Sequence, residues 1–91
     1  MFNTPRANVI ESDEGFSVEL MGRTGLRYYE GHRELFVDSE VLAGPAGIVM
    51  YSDSIKKWEK EEKEISEEEK SKIIENIRRA FRHKGFEIQV I

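Results

Sequence analysis

The sequence feature that most constrains this chain is a helical pattern that runs from Ser66 to Gly85. Ser66 and Glu69 form an S-x-x-E capping box at its start, and Gly85 is placed to end the helix in a left-handed conformation. Apolar residues between them recur at the spacing of one helix face, namely Ile73, Ile74, Ile77, Ala80 and Phe81. A stripe of this kind is stable only when another apolar surface covers it.

The first half of the chain has the sequence pattern of a β-sheet, which could provide this apolar surface. Five strands are predicted before the helix, at residues 7–12, 15–21, 25–30, 33–42 and 47–51. Gly31 and His32 suit a two-residue hairpin turn between the third and the fourth. The continuous apolar run of the fifth predicts a central strand that is covered on both faces. Residues 86–91 alternate again and predict a last strand at a sheet edge.

Two connections complete the predicted fold. The segment Gly44-Pro45-Ala46-Gly47 is interpreted as a turn, because a phosphate-binding loop needs a closely following lysine and helix. After it, Ser52 or Asp53 can cap a short helix that places Ile55 and Trp58 on one face. The predicted fold class is α+β: one domain over residues 1–91, with a mainly antiparallel sheet of five to six strands packed on one face by a short helix and a long C-terminal helix.

The composition of the chain excludes several kinds of site and several classes of protein. The chain has 91 residues, of which 38% are hydrophobic, enough for one modest core. It contains no cysteine, so disulfides, thiolate nucleophiles and cysteine metal sites are excluded. We find no apolar run of the roughly 18 residues that a membrane span needs, and no secretory signal pattern. We therefore expect a cytoplasmic protein that does not insert into a membrane.

Charge is distributed unevenly along the chain. Residues 1–51 carry four arginines, no lysine and eight carboxylates, whereas residues 52–91 are balanced at ten of each sign. The acidic half should attract a basic partner and repel nucleic acid. The basic run at residues 78–84 contains Phe81, but that ring belongs to the apolar helix stripe. We therefore interpret the run as a complement to the helix dipole.

No residue pattern predicts catalysis, a metal or a cofactor. His32 is flanked by Glu30 and Glu34, so a histidine–carboxylate pair is conceivable, but histidines in exposed turns are common. Asp38 and Glu40 share a strand face and could bind a cation, yet no third ligand is spaced to join them. We therefore predict that the protein is not an enzyme.

The residues most suited to protein recognition combine acidic and aromatic side chains. Adjacent tyrosines on a strand point to opposite faces, so one of Tyr28 and Tyr29 should be exposed. Trp58 fits a core position better than a contact surface, although it remains a candidate. The predicted partner-binding residues are Tyr29, Glu30, Glu34, Asp38, Glu40 and Trp58.

Several segments together resemble the immunity protein 74 family of bacterial polymorphic-toxin systems, from about Gly15 to the C-terminus. The resemblance is carried by four elements: Gly25-Leu26-x-Tyr28, Val37-Asp38-Ser39-Glu40, Trp58-Glu59, and the terminal helix that enters a last strand. It implies a non-enzymatic protein that binds a cognate toxin domain in the cytoplasm and neutralises it stoichiometrically. The acidic first half of the chain suits a basic toxin domain.

Two other functions stay open at this stage. The strand at residues 86–91 could pair with a second copy, which would make the chain a self-associating regulatory or structural module and a possible homodimer. A minor enzyme built around His32 is the third possibility.

Overall fold

The computed structural model describes residues 1–42 and 47–91. The strands and the helix are, in chain order, β1 (Phe2–Arg6), β2 (Val9–Ser12), β3 (Phe16–Leu20), β4 (Thr24–Glu30), β5 (Arg33–Val41), β6 (Ile48–Met50), α1 (Glu67–His83) and β7 (Ile88–Val90). A 3-10 turn, Ser52–Ser54, follows β6. No helix in the part of the chain that the structure describes is both long enough and apolar enough to span a membrane.

Within the described residues, the strands form one seven-stranded sheet whose spatial order follows the chain. Every neighbouring pair from β1 to β6 is antiparallel, but β6 and β7 are parallel. The α+β class is confirmed, whereas the expectation of five to six strands is corrected to seven in a mixed sheet. The parallel pair arises because α1 lies between β6 and β7 in the chain and acts as a crossover connection. As predicted, β7 lies at an edge. All three residues of β6 are buried, but the strand lies next to that edge and not at the centre of the sheet.

The strand that the sequence did not predict is β1. Its five residues include Pro5 and show no apolar alternation, and only Phe2 is partly buried. Proline is tolerated in β1 because an edge strand leaves one row of backbone groups unpaired. The hairpin prediction is confirmed, since Glu30 pairs with Arg33 across a turn in which Gly31 has a φ of +64°.

Helix α1 follows its sequence pattern closely. The Ser66 hydroxyl accepts a hydrogen bond of 3.1 Å from the Glu69 backbone N–H, as the capping box predicts. Gly85 follows the helix with a φ of +86°. The stripe is buried at Ile73, Ile77, Ala80 and Phe81, each at most 1% exposed, and Ile74 packs at its border. One face of the sheet is therefore covered by α1.

The predicted short helix is wrong. Only the 3-10 turn is helical there, and Ile55 and Trp58 lie in irregular chain, although both are buried. The backbone bonds explain why: the Glu59 N–H donates to the Glu34 carbonyl at 2.8 Å, and the Ile65 N–H donates to the Lys56 carbonyl at 2.7 Å. These bonds tie the segment to β5 and to itself in place of the i to i−4 bonds of a helix.

The predicted turn at Gly44-Pro45-Ala46-Gly47 lies outside the described residues except for Gly47. Leu42 on one side of this stretch donates its N–H to the Gly47 carbonyl at 2.9 Å. Gly47 has a φ of +90°, and a side chain at this position would collide with the Glu87 carbonyl ahead of β7. Glycine at this position therefore permits the close approach of the chain segments that lead into β6 and β7.

Candidate partner-binding face

The strand register divides β4 and β5 into two chemically different sides. Leu26, Tyr28, Leu35 and Val37 point toward α1 and are at most 1% exposed. The alternating positions point away from α1. We call this opposite surface the helix-free face; its central residues are Arg27 and Tyr29 of β4 with Glu34, Phe36, Asp38 and Glu40 of β5.

The helix-free face is acidic. Register places Glu11 and Glu19 of the neighbouring strands on the same side as the three carboxylates of β5. Arg27 lies among them, with its Nη1 atom 2.9 Å from a Glu59 carboxylate oxygen and 4.0 Å from one of Glu34. The hydrogen bond from Arg27 holds the pKa of the Glu59 carboxyl below its usual range. Glu34, Asp38 and Glu40 remain accessible and give this face a net negative charge.

Two tyrosines fix carboxylates on this face. The Tyr29 hydroxyl donates to Glu19 Oε1 at 2.8 Å, and the Tyr51 hydroxyl donates to Glu40 Oε2 at 3.3 Å. Burial, followed by the bond to Glu19, raises the pKa of Tyr29 to about 12. The Tyr29 phenol therefore stays protonated at neutral pH and holds the Glu19 carboxylate as an acceptor.

Phe36 is the exposed apolar residue at the centre of the helix-free face. Its side chain is 43% exposed, and Tyr51 beyond it is 38% exposed. Neither Phe36 nor Tyr51 was among the predicted partner-binding residues. Phe36 could have been found from strand alternation, because it lies between Leu35 and Val37, which both face the core.

Glu30, which was predicted to bind a partner, lies on the other side of the sheet. Its carboxylate accepts a 2.7 Å hydrogen bond from the Tyr28 hydroxyl, which in turn accepts one of 2.8 Å from Asn76 Nδ2 of α1. Burial raises the pKa of Tyr28. Glu30 also lines an open depression of about 250 Å³ together with Glu69 and Lys72. The structure therefore links Glu30 to the helix and separates it from Tyr29.

Trp58 was also predicted as an interface residue, and the structure places it in the core. The side chain is 1% exposed, and its ring centroid lies 6.0 Å from that of Tyr28. The Arg33 guanidinium carbon lies 4.3 Å from the ring centroid, and the indole N–H donates to Glu69 Oε1 at 3.4 Å. Because it is covered on all sides, Trp58 presents no contact surface to a partner.

The candidate chemical sites do not assemble around His32 or Asp38. His32 is exposed in the hairpin turn, and its neighbours Glu30 and Glu34 lie on opposite sides of the sheet. Asp38 and Glu40 share a face, but residues 1–42 and 47–91 contain no group of three side chains arranged to hold a metal ion.

Comparisons with known proteins identify a family for this chain. No curated protein and no solved structure gives a significant match. The family model of immunity protein 74 matches residues 18–91, which extend from within β3 through β7. This range contains both the helix-free face of β4 and β5 and the covering helix, and the family name points in general terms to the neutralisation of a toxin. The chain belongs to the immunity protein 74 family.

Proposed function

We propose that this protein is a cytoplasmic immunity protein that binds the toxin domain of a bacterial polymorphic-toxin system and neutralises it by stoichiometric association. The proposal assigns it no catalytic step of its own. Family membership supports the general role. The observation that supports the site is the acidic helix-free face, which holds carboxylates and aromatic rings together on the side of the sheet that α1 does not cover.

The physical chemistry of this face suits a basic partner. Carboxylates on one uncovered surface produce a negative potential that speeds the encounter with a cationic domain and disfavours other partners. Aromatic side chains supply contact area at low entropic cost and are enriched in interfaces. Of the predicted residues, we propose Tyr29, Glu34, Asp38 and Glu40 as toxin contacts, while Glu30 and Trp58 stabilise the fold.

The test compares two triple charge reversals with the same change in net charge. One variant carries Glu34→Lys, Asp38→Lys and Glu40→Lys on the helix-free face. The control variant carries Glu62→Lys, Glu68→Lys and Glu75→Lys, three exposed positions elsewhere on the chain. The neighbouring DNA is sequenced first to identify an adjoining polymorphic-toxin gene, and affinity for the toxin domain it encodes is measured by calorimetry at low and high ionic strength.

We expect the first variant to bind about 100-fold more weakly, since reversed charges repel the basic partner, and to lose protection of cells that express the toxin. The control should keep most of the affinity. Equal affinity for the two variants would reject the helix-free face as the binding site. If the unmodified protein does not bind this toxin domain, the proposed function itself is rejected.

Self-association through β7 is the second candidate function. The edge position of this strand favours it, together with the exposure of Phe86 and Ile91 at 40% and 62%. The strand is only three residues long, which limits how many backbone bonds a second copy could form. Sedimentation velocity across a concentration series tests self-association. A monomer at every concentration would exclude this role, whereas a dimer that the Phe86→Lys substitution dissociates would support it.

A further inference from the structure

We infer that Phe36 anchors the toxin interface and receives a cationic side chain, most simply an arginine, from the toxin domain. This inference rests on the proposed function and adds the chemistry of the central contact. It is carried by the position of the ring, by the backbone on which the ring lies, and by the charges beside it.

The position of Phe36 is central on the helix-free face. It lies in the middle of β5 and faces Arg27 across the ladder, with Glu34 and Asp38 two residues away on either side. Residues two apart on a strand share one face, so the ring has a carboxylate on each side along the strand. The ring is 43% exposed and Tyr51 on the same face is 38% exposed, so this face offers the aromatic surface in which protein interfaces are enriched.

Gly25 of β4 leaves room for the Phe36 ring to pack against the strand backbone. A Cβ atom added at Gly25 would lie 2.5 Å from Phe36 Cζ and 2.6 Å from Cε1, so the ring occupies the space that a side chain would fill. Gly25 also has a φ of +84°, a backbone conformation that residues with a side chain rarely adopt. The glycine therefore lets the ring pack against the β4 backbone and orders it before a partner binds.

The carboxylates beside the Phe36 ring favour contact with a cationic side chain of the partner. A cation placed over the ring gains the electrostatic attraction of the π face and lies within reach of Glu34 and Asp38. Arginine suits both contacts, because its planar guanidinium stacks on rings and binds carboxylates through two hydrogen bonds. The chain already uses this pairing internally, with Arg33 over Trp58 at 4.3 Å and Arg79 over Phe2 at 5.7 Å.

Three single variants test the inference against the same toxin domain. Phe36→Ala should weaken binding roughly 30-fold, the loss expected of a hot-spot residue. Phe36→Leu keeps an apolar side chain but removes the π face, and it should weaken binding about 5-fold. The matched control is Phe86→Ala, which removes a ring of similar exposure, 40%, outside β4 and β5 and beside Phe81 of α1. Its affinity should stay within about 2-fold of the unmodified protein.

The possible outcomes distinguish an error in the assigned binding face from an error in the assigned anchor residue. If Phe36→Ala binds normally while the charge reversals on β5 abolish binding, the face is correct and the anchor is wrong. If Phe36→Leu equals the unmodified protein while Phe36→Ala is weak, the contact is apolar and the cation is wrong. If Phe86→Ala alone weakens binding, the interface lies at β7 and both assignments fail. Circular dichroism of each variant confirms that the fold is retained.

Discussion

The two sides of the central sheet differ in what their residues contact. Toward α1, the central alternate positions of β4 and β5 hold Leu26, Tyr28, Leu35 and Val37, each at most 1% exposed. On the helix-free face, the residues between them are charged or aromatic and reach solvent, such as Glu34 and Phe36. The same two strands therefore divide their residues between holding the fold together and presenting a surface. Substitutions on the two sides should affect different measurements.

The largest expected effect of a single substitution is on the covered side. Trp58→Ala removes a fully buried ring between Tyr28 and Arg33 and should lower the free energy of unfolding by about 3–5 kcal/mol. Urea denaturation followed by circular dichroism measures this loss. If the variant were as stable as the unmodified protein and instead lost toxin affinity, Trp58 would be a contact residue and the assignment of the two sides would be wrong.

The adjacent tyrosines offer a matched pair with a smaller effect. Tyr28→Phe removes the hydroxyl that joins Asn76 to Glu30 beneath the helix, and should cost about 1 kcal/mol of stability without changing toxin affinity. Tyr29→Phe removes the hydroxyl bound to Glu19 on the helix-free face, and should change affinity more than stability. Denaturation and calorimetry on both variants check the pair. If Tyr28→Phe changed mainly the affinity and Tyr29→Phe mainly the stability, the orientation of β4 would be contradicted.

The last expected effect appears only at alkaline pH. The Tyr29 phenol ionises at about 12 in the folded protein, against an ordinary pKa of 10.0. Above pH 10.0 the unfolded chain releases this proton first, so the free energy of unfolding should fall as the pH rises from 10.0 to about 12. The contribution is fully present below that window. Tyr29→Phe should make the fall shallower, and an unchanged slope would show that Tyr29 is not shielded.

The sequence predicted those elements whose determinants are local. The capping box at Ser66 and Glu69, the glycine turn at Gly31 and the burial of Phe81 all follow from neighbouring residues, and the structure confirms them. Strand alternation also places Glu34, Asp38 and Glu40 on one face. That placement is the part of the candidate site that a single sequence contains.

The missed features depend on contacts between distant segments. The pairing of β1 with β2, the parallel addition of β7 and the irregular path past Trp58 all rest on backbone bonds to strands elsewhere in the chain. Phe36 differs from these features, because the alternation of β5 around Leu35 and Val37 already indicates that it is exposed. Its packing over Gly25 depends on the register with β4, which a local pattern does not contain.

Carboxyl footprinting by mass spectrometry tests the central claim most directly, since it reads the two sides of the protein in one experiment. Exposed carboxylates are labelled with a carbodiimide and an amine in the free protein and in its complex with the toxin domain. We predict that labelling of Glu34, Asp38 and Glu40 falls on binding, while labelling of Glu68 and Glu75 on α1 is unchanged. Protection of the helix carboxylates with unchanged labelling on β5 would contradict the account.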